Sequence, residues 1–342
     1  MKSKSTFPKL NFPAVLSPMA GVTDVAFRTL AKKYGAGMTY TEFVSSAAIV
    51  RGNKESLKLL EVDASEKPVA VQLFGSNVEE VIQAAQFVEE KFDVIDINCG
   101  CPAWKVIKTG SGSAMLNNPE LIGNFVNKLA SSINKPVTVK IRTGINKNKI
   151  NAVEIAKIVE DCGGAAIAVH GRTQKQGYTG KANWDIIKEV KEKVNIPVIG
   201  NGDVFSPEDF KEKLEYSKVD AIMIARGAIG NPYIFQQIKD YLDTGSYQKE
   251  NIAELEKLSE NSQTHHNNAL NTDIKNCYSN PSRIQQFFEY LEIARKYNIS
   301  FRTLKLQSFS FTKGISGGGK LRTQLDVCKN SNELVDILKI IN

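Results

Sequence analysis

Eight short apolar runs, spaced through residues 13 to 240 and separated by amphipathic stretches, limit the folds open to this chain more than any other feature. The runs are Ala14–Pro18, Met38–Glu42, Val69–Phe74, Val94–Asn98, Val137–Arg142, Ala165–His170, Val198–Asn201 and Ala221–Ala225. Several are apolar almost without a break, such as VAVQLF and AIMIA. Unbroken apolarity suits parallel strands covered on both faces, whereas a half-exposed strand would alternate. Between the runs lie helical patterns. In Glu79–Phe92 the residues Val81, Ile82, Ala85 and Val88 recur on one face. Ser206-Pro207-Glu208 reads as an N-cap, a proline at the first helical position and an early acid. Eight such units in about 230 residues predict a (β/α)8 TIM barrel. A doubly wound sheet is the alternative, but the GxGxxG turn it needs after its first strand is absent.

The pattern changes after Tyr247. Residues 259–282 are rich in Asn and Ser and predict a polar loop or linker. Helical patterns resume over Arg283–Tyr297, Phe301–Lys313 and Glu333–Ile341. The predicted organisation is a catalytic barrel over residues 1–245 and a smaller helical domain over 246–342. Residues 281 to 329 carry nine Lys/Arg against three Asp/Glu, within a chain of net charge +7. By itself such a bias describes a solvated surface. The paired His265-His266 lies in polar sequence and reads as solvated. The five cysteines are scattered, and the CxC of Cys99 and Cys101 lacks metal or dithiol spacing. No metal is expected. With no apolar stretch of membrane length and no secretory leader pattern, the expected location is the cytoplasm. Nothing sets an oligomeric state, and a monomer is the default expectation.

In a TIM barrel, chemistry collects at the C-terminal ends of the strands. There the sequence supplies Ser17-Pro18-Met19-Ala20, Gln72, Asn98-Cys99-Gly100-Cys101-Pro102, Lys140, Arg142, His170-Gly171-Arg172, Asn201-Gly202-Asp203 and Ala225-Arg226-Gly227. Each has an ordinary structural explanation alone; their convergence on one barrel mouth is what points to a site. The loops after strands 7 and 8 are common phosphate sites. Gly202 and Gly227 permit close backbone approach, and Arg226 adds a charged fork. Lys140 and His170 would face an electron-rich ring. A flavin mononucleotide matches this arrangement, with its phosphate at strands 7 and 8 and its ring over the mouth.

The motifs are specific enough to carry a family resemblance. LSPMAGVTDVAFR (16–28), VQLFG (71–75), DINCGCPAWKVIKTGSGSAML (96–116), VKIRTG (139–144), VHGRTQKQGYTG (169–180), IGNGDV (199–204) and IMIARGAIGNPYIF (222–235) resemble the tRNA-dihydrouridine synthases, in that family's order and across nearly the whole barrel. Ser113 and Met115 stand where the family often has Ala and Leu, and the C-terminal third matches poorly. The resemblance implies FMN reduced by NADPH or NADH, and a uridine in tRNA as substrate. It assigns FMN contacts to Pro18, Met19, Ala20, Gln72, Lys140, His170, Asn201, Gly202, Asp203, Ala225 and Arg226, and places Asn98 beside the uracil. It makes Cys101, directly before Pro102, the proton donor.

This chemistry is self-consistent. Hydride reaches C6 of the uracil, charge develops at C5 and O4, and a proton must arrive at C5 from the opposite face. A thiol suits the task, since an unperturbed cysteine with a pKa of about 8.5 is mostly protonated at neutral pH. Cys99 alternates to the other side of the strand and is expected to be structural. Arg142, Arg172 and Tyr178 are the further substrate candidates near the mouth. With tRNA as partner the basic helical segment gains a role: Arg302, Lys305 and Lys320 become phosphate contacts, as do Arg283, Arg295, Lys296, Lys313 and Arg322. Gly317-Gly318-Gly319 is either a loop that lets a ligand backbone approach or a plain helix connection. The competing readings are another FMN barrel that reduces a small molecule, in the manner of a dihydroorotate dehydrogenase or an ene-reductase, and a catalytically silent tRNA-binding chaperone.

Overall fold

The computed structural model describes residues 5–247 and 281–339. Residues 259–280 of the predicted linker, with His265, His266 and Cys277, lie outside them. Eight parallel strands form one sheet: β1 (Ala14–Leu16), β2 (Thr39–Ser45), β3 (Val69–Phe74), β4 (Val94–Cys99), β5 (Val137–Arg142), β6 (Ala166–His170), β7 (Val198–Asn201) and β8 (Ala221–Ile224). Each pairs with its successor from β2 to β8, and β8 pairs with β1. The remaining seam is bridged by Leu16 N–H to Met38 O at 2.9 Å and Gly37 N–H to Ala14 O at 2.8 Å. The result is the near-closed TIM barrel that the apolar runs predict.

Alternation along each strand separates two cores. Outward residues such as Ile95, Ile97, Val139 and Ile141 pack under the helices. Inward residues Val15, Met38, Tyr40, Ala70, Val94, Ala168, Ile199, Ala221 and Met223 fill the barrel, with Phe7 and Leu10 packed against them. The polar residues Gln72, Asp96, Asn98, Thr138, Lys140 and His170 continue the inward-facing rows of their strands toward the C-terminal ends, so the barrel interior grades from apolar to polar. β2 runs beyond its apolar run, pairing Phe43, Val44 and Ser45 with Gln72, Leu73 and Phe74 after a register slip between Tyr40 and Phe43, a bulge that re-aims the strand end.

The barrel helices are α1 (Val25–Lys33), α2 (Val78–Val88), α3 (Pro119–Ser132), α4 (Ala152–Asp161), α5 (Trp184–Lys193), α6 (Pro207–Ser217) and α7 (Ile234–Thr244), with shorter turns between. Their starts follow side-chain chemistry. Asn77 accepts from the Glu79 and Glu80 N–H groups to begin α2. Ser206 and Asp209 cap α6 reciprocally around Pro207. The partner is thus Asp209 at the third helical position, one residue beyond the acid singled out from sequence. A small antiparallel pair, Gly144–Asn146 with Lys149–Ile150, follows β5.

Four C-terminal helices are described: α8 (Arg283–Lys296), α9 (Phe301–Phe311), α10 (Gly318–Val327) and α11 (Ser331–Lys339). Their buried residues Phe287, Tyr290, Phe311, Leu325 and Leu334 belong to the same continuous cluster as the outer barrel core. Phe27 of α1 meets Phe311 edge-on, with ring centroids 6.3 Å apart. Polar anchors add direction. The Tyr290 hydroxyl donates to Asp24 at 3.0 Å, and Gln307 Nε2 donates to Val22 O at 2.8 Å. Lys296 Nζ and the Tyr297 hydroxyl converge on Asp63 at 2.7 and 2.5 Å, holding that carboxyl below the usual range. α10 begins inside the Gly317-Gly318-Gly319 run: Gly317 is its N-cap at φ 67°, and a Cβ on Gly318 would lie 2.5 Å from Thr312 O. The triplet is therefore a helix connection in which Gly318 alone is packed too closely for a side chain, while Gly317 and Gly319 have open space around them. No described helix is long and apolar enough to cross a membrane.

Candidate active site

The C-terminal strand ends open into a cleft of about 500 Å³. Pro18, Met19, Ala20, Gln72, Lys140, His170, Asn201, Gly202, Asp203, Ala225 and Arg226 all line it, together with Cys101, Asn98, Arg142 and Tyr178. The strand registers account for the gathering. Asn98 stands opposite Lys140, Arg142 opposite His170, and His170 opposite Asn201, so adjacent strands bring their inward polar residues to one level.

The floor is a bonded network. Lys140 Nζ donates to Asn201 Oδ1 at 3.1 Å, and Asn201 Nδ2 donates to Met223 O at 2.7 Å. Burial, then Arg142, pulls the Lys140 ammonium down to about 8, against the opposing pull of Asp96. His170 is held neutral: burial dominates, and Lys140, Arg142, Arg172 and Arg226 add repulsion to any proton it would take up. At the β4 end, Asn98 Oδ1 accepts from the Gly100 and Cys101 N–H groups at 3.1 and 2.9 Å. Cys101 O accepts from Ser113 N–H and Oγ–H at 3.0 and 2.9 Å. The half-buried Cys101 is thus pinned on both sides of its Cα. Cys99 points into the outer core with its Sγ 3.7 Å from Met115 Sδ, and burial pushes its thiol far up. It is structural, as the strand alternation indicates.

The β7 and β8 loops are organised by Asp203. It accepts from Arg172 Nη1 and Nη2 and from Arg226 Nη2, each at 2.8 Å, and from Ala182 N–H at 2.7 Å. Burial alone would raise its carboxyl; Arg172, Ala182 and Arg226 overcome that and hold it low. Gly202 (φ 135°) leaves no room for a side chain, since a Cβ would sit 2.6 Å from Ala182 Cβ and 3.3 Å from His170 Cδ2. Above this floor Tyr178 is 63% exposed, and Arg226 lies over both its ring and that of Phe205, at 5.1 and 5.2 Å.

Arg172 departs from its expected role as a substrate contact. Its side chain is 2% exposed, lies outside the cleft lining, and spends its donors on Asp203, Thr179 O and Gly180 O. Arg142 lines the cleft, yet its donors go to Gly100 O, Thr173 O and Gly177 O, so it braces the loops beside Cys101 and Tyr178. Arg302, Lys305 and Lys320 lie on α9 and α10, away from the cleft. Arg302 and Lys320 are exposed. Lys305 is engaged by the Asp326 carboxylate at 3.4 Å and by its carbonyl. Arg322 donates to Thr312 O at 2.8 Å and Lys296 to Asp63, which also draws them inward. The sequence did not single out Phe43, Val204, Phe205 and Ile229, which also line the cleft; Val204 and Phe205 are the two residues after the Asn-Gly-Asp turn, which was a usable signal. Among the described residues no group of three or more His, Cys, Asp or Glu side chains could hold a metal ion.

A parallel barrel with a neutral histidine, a buried lysine and a pinned thiol gathered at the C-terminal mouth has the layout of a TIM-barrel enzyme. Comparison with known proteins narrows the class. The family model described as dihydrouridine synthase matches residues 15–310. A tRNA-dihydrouridine synthase B of Shewanella oneidensis is 46% identical over 233 residues, covering 68% of this chain and 72% of that protein. A protein of the same name from Pasteurella multocida is 44% identical over 232 residues, covering 68% and 70%. Among solved structures, histamine dehydrogenase from Rhizobium sp. 4-9 matches with a TM-score of 0.52 at 13% identity, over 69% of this chain and 46% of that one. A 2-naphthoyl-CoA reductase matches at 0.54 and 10%, over 69% and 50%. The chain spans about half of each solved structure, and these likenesses show the fold alone. The chain belongs to the dihydrouridine synthase family.

Proposed function

We propose that this protein reduces the C5=C6 bond of a uridine in tRNA to 5,6-dihydrouridine, with Cys101 as the acid. The observation that carries the assignment is the placement of Cys101, pinned through its own N–H and C=O at the mouth of a cleft floored by Lys140 and His170. A flavin mononucleotide fits these residues. Gly202 keeps the β7 loop free of a Cβ, and Arg226 lines the cleft with its side chain 38% exposed. Gly202, Arg226 and the main chain at Asp203 and Ala225 would hold the phosphate end, with the Asp203 carboxylate orienting Arg226; Pro18, Met19, Ala20, Gln72, Lys140, His170 and Asn201 would hold the ring. Reduced flavin, replenished from NADPH or NADH, supplies the hydride for C6 of the uracil.

The residues of the chain do the rest. Asn98 offers an amide N–H to a ring carbonyl. Lys140, a cation below about pH 8, would stabilise negative charge developing on the ring. Cys101 gives its proton to C5, completing the addition of two hydrogens across the bond. Tyr178 and Phe205 present flat faces at the lip, suited to bases that must leave the RNA stack to reach the cleft. Residues 1–245 form the catalytic part, and 246–342 carry helices that would receive the tRNA backbone, with exposed Arg302 and Lys320 as contacts. The test is Cys101→Ala. It should retain yellow flavin and tRNA binding while dihydrouridine formation is lost; near-normal turnover would remove Cys101 from the role.

A further inference from the structure

Asp96 lies outside the cleft lining, is 1% exposed, and faces the barrel interior from the middle of β4. A carboxylate there is costly, and an apolar side chain like its inward neighbour Val94 would serve packing better. Its bonds suggest why it is present. Asp96 Oδ1 accepts from the Thr138 hydroxyl at 2.6 Å, and Oδ2 accepts from Gln72 Nε2 at 2.6 Å. Gln72 Oε1 accepts from Asn98 Nδ2 at 2.8 Å. Asn98 Oδ1 then accepts from Gly100 N–H and Cys101 N–H. The line runs without a gap from a buried carboxylate to the main chain of the proposed acid.

The line also has a direction. An ionised carboxylate can only accept and a main-chain N–H can only donate. Gln72 and Asn98, between them, each have one permitted orientation. A reversed Gln72 amide would face its oxygen to the carboxylate and its N–H₂ to that of Asn98. Gln72, Asp96 and Thr138 share one register level across β3, β4 and β5. The position of Cys101 is thereby referred to three strands of the sheet as well as to its own loop.

We propose that Asp96 is a positioning residue for Cys101, acting through Gln72 and Asn98. The proposal rests on reading Cys101 as the acid, and the test separates the two. Flavin-loaded wild type, Asp96→Asn, Asp96→Val and Cys101→Ala are compared in two assays. One is the single-turnover rate of dihydrouridine formation at saturating tRNA. The other is the rate at which N-ethylmaleimide alkylates Cys101, resolved by peptide mass spectrometry with Cys162 as internal control. Asp96→Val slows turnover by about 10- to 100-fold, the usual effect of an ångström-scale misplacement. Its KM for tRNA stays within about twofold, because no backbone contact is touched. Asp96→Asn stays within about threefold of wild type, since its Oδ1 still accepts from Gln72 and its amide Nδ2 donates to the Thr138 hydroxyl oxygen. Cys101 alkylation quickens by at least about threefold in Asp96→Val, as its N–H anchor loosens, while Cys162 is unchanged.

Turnover by Asp96→Val within about threefold of wild type, or unchanged alkylation of Cys101, would return Asp96 to a purely structural role. Near-normal turnover by Cys101→Ala would instead remove the acid assignment, leaving the alkylation result to judge whether Asp96 positions that residue. Should Asp96→Val fail to fold, Asp96→Ser replaces it with the same expectations, its hydroxyl being too short to reach Gln72.

Discussion

Replacing Asp203 with alanine should unfasten the β6, β7 and β8 loops together. Arg172 is 2% exposed and loses two bonds of 2.8 Å while its charge stays buried. Breaking a buried pair from one side costs about 3–5 kcal/mol. Asp203 is itself 22% exposed, so water relieves part of this and the lower figure applies. Loss of the Ala182 N–H acceptor adds about 1 kcal/mol. Release of the more exposed Arg226 adds under about 1 kcal/mol. The expected sum is about 4 kcal/mol of unfolding free energy, read by urea denaturation followed by circular dichroism. Flavin content should fall in parallel, because Arg226 and the Gly202 turn lose their shared anchor. Arg226→Gln is the control and should cost under about 1 kcal/mol while still weakening flavin binding. An Asp203→Ala protein within about 1 kcal/mol of wild type, with its flavin retained, would refute the view that this carboxylate organises the phosphate corner.

Two further outcomes follow from the same geometry. The Lys140 ammonium is lowered to about 8, so its charge is present below that pH and lost above it; flavin affinity, followed by fluorescence, should weaken as pH rises from 7 to 9, with the step absent in Lys140→Gln, and a wild-type affinity flat across that range would contradict the assignment. Neutralising Arg302 and Lys320 should weaken tRNA binding and flatten its salt dependence by roughly one unit of slope for each phosphate left without its cation, whereas Lys305→Gln, whose ammonium is already engaged by Asp326, should leave the slope nearly unchanged.

The barrel was legible because its strands are buried on both faces, which leaves runs such as Val69–Phe74 no polar outer row to disguise them. The mouth was legible because inward polar residues at strand ends have no packing reason to cluster. Other features were hidden for physical reasons. The Gly144–Ile150 hairpin is short and partly exposed, so it carries no hydrophobic period. α10 starts in a glycine triplet that argues against a helix until the close approach of Thr312 is seen. Arg172 and Arg226 both belong to recognisable motifs, yet residue type cannot say which guanidinium is sequestered by Asp203 and Thr179 and which one reaches the cleft. Asp96 shows the same limit: its spacing marks it as inward-facing, but the line to Cys101 depends on Gln72 two dozen residues away.

The central claim is that this cleft reduces a uridine in tRNA. Its most direct test is to incubate the flavin-loaded protein with NADPH and an unmodified tRNA transcript, then digest the RNA and weigh its nucleosides. One or more uridines should have gained two hydrogens, with no such product from the Cys101→Ala protein. Unmodified tRNA alongside rapid reduction of free orotate or an enone would contradict it and identify a small-molecule reductase instead.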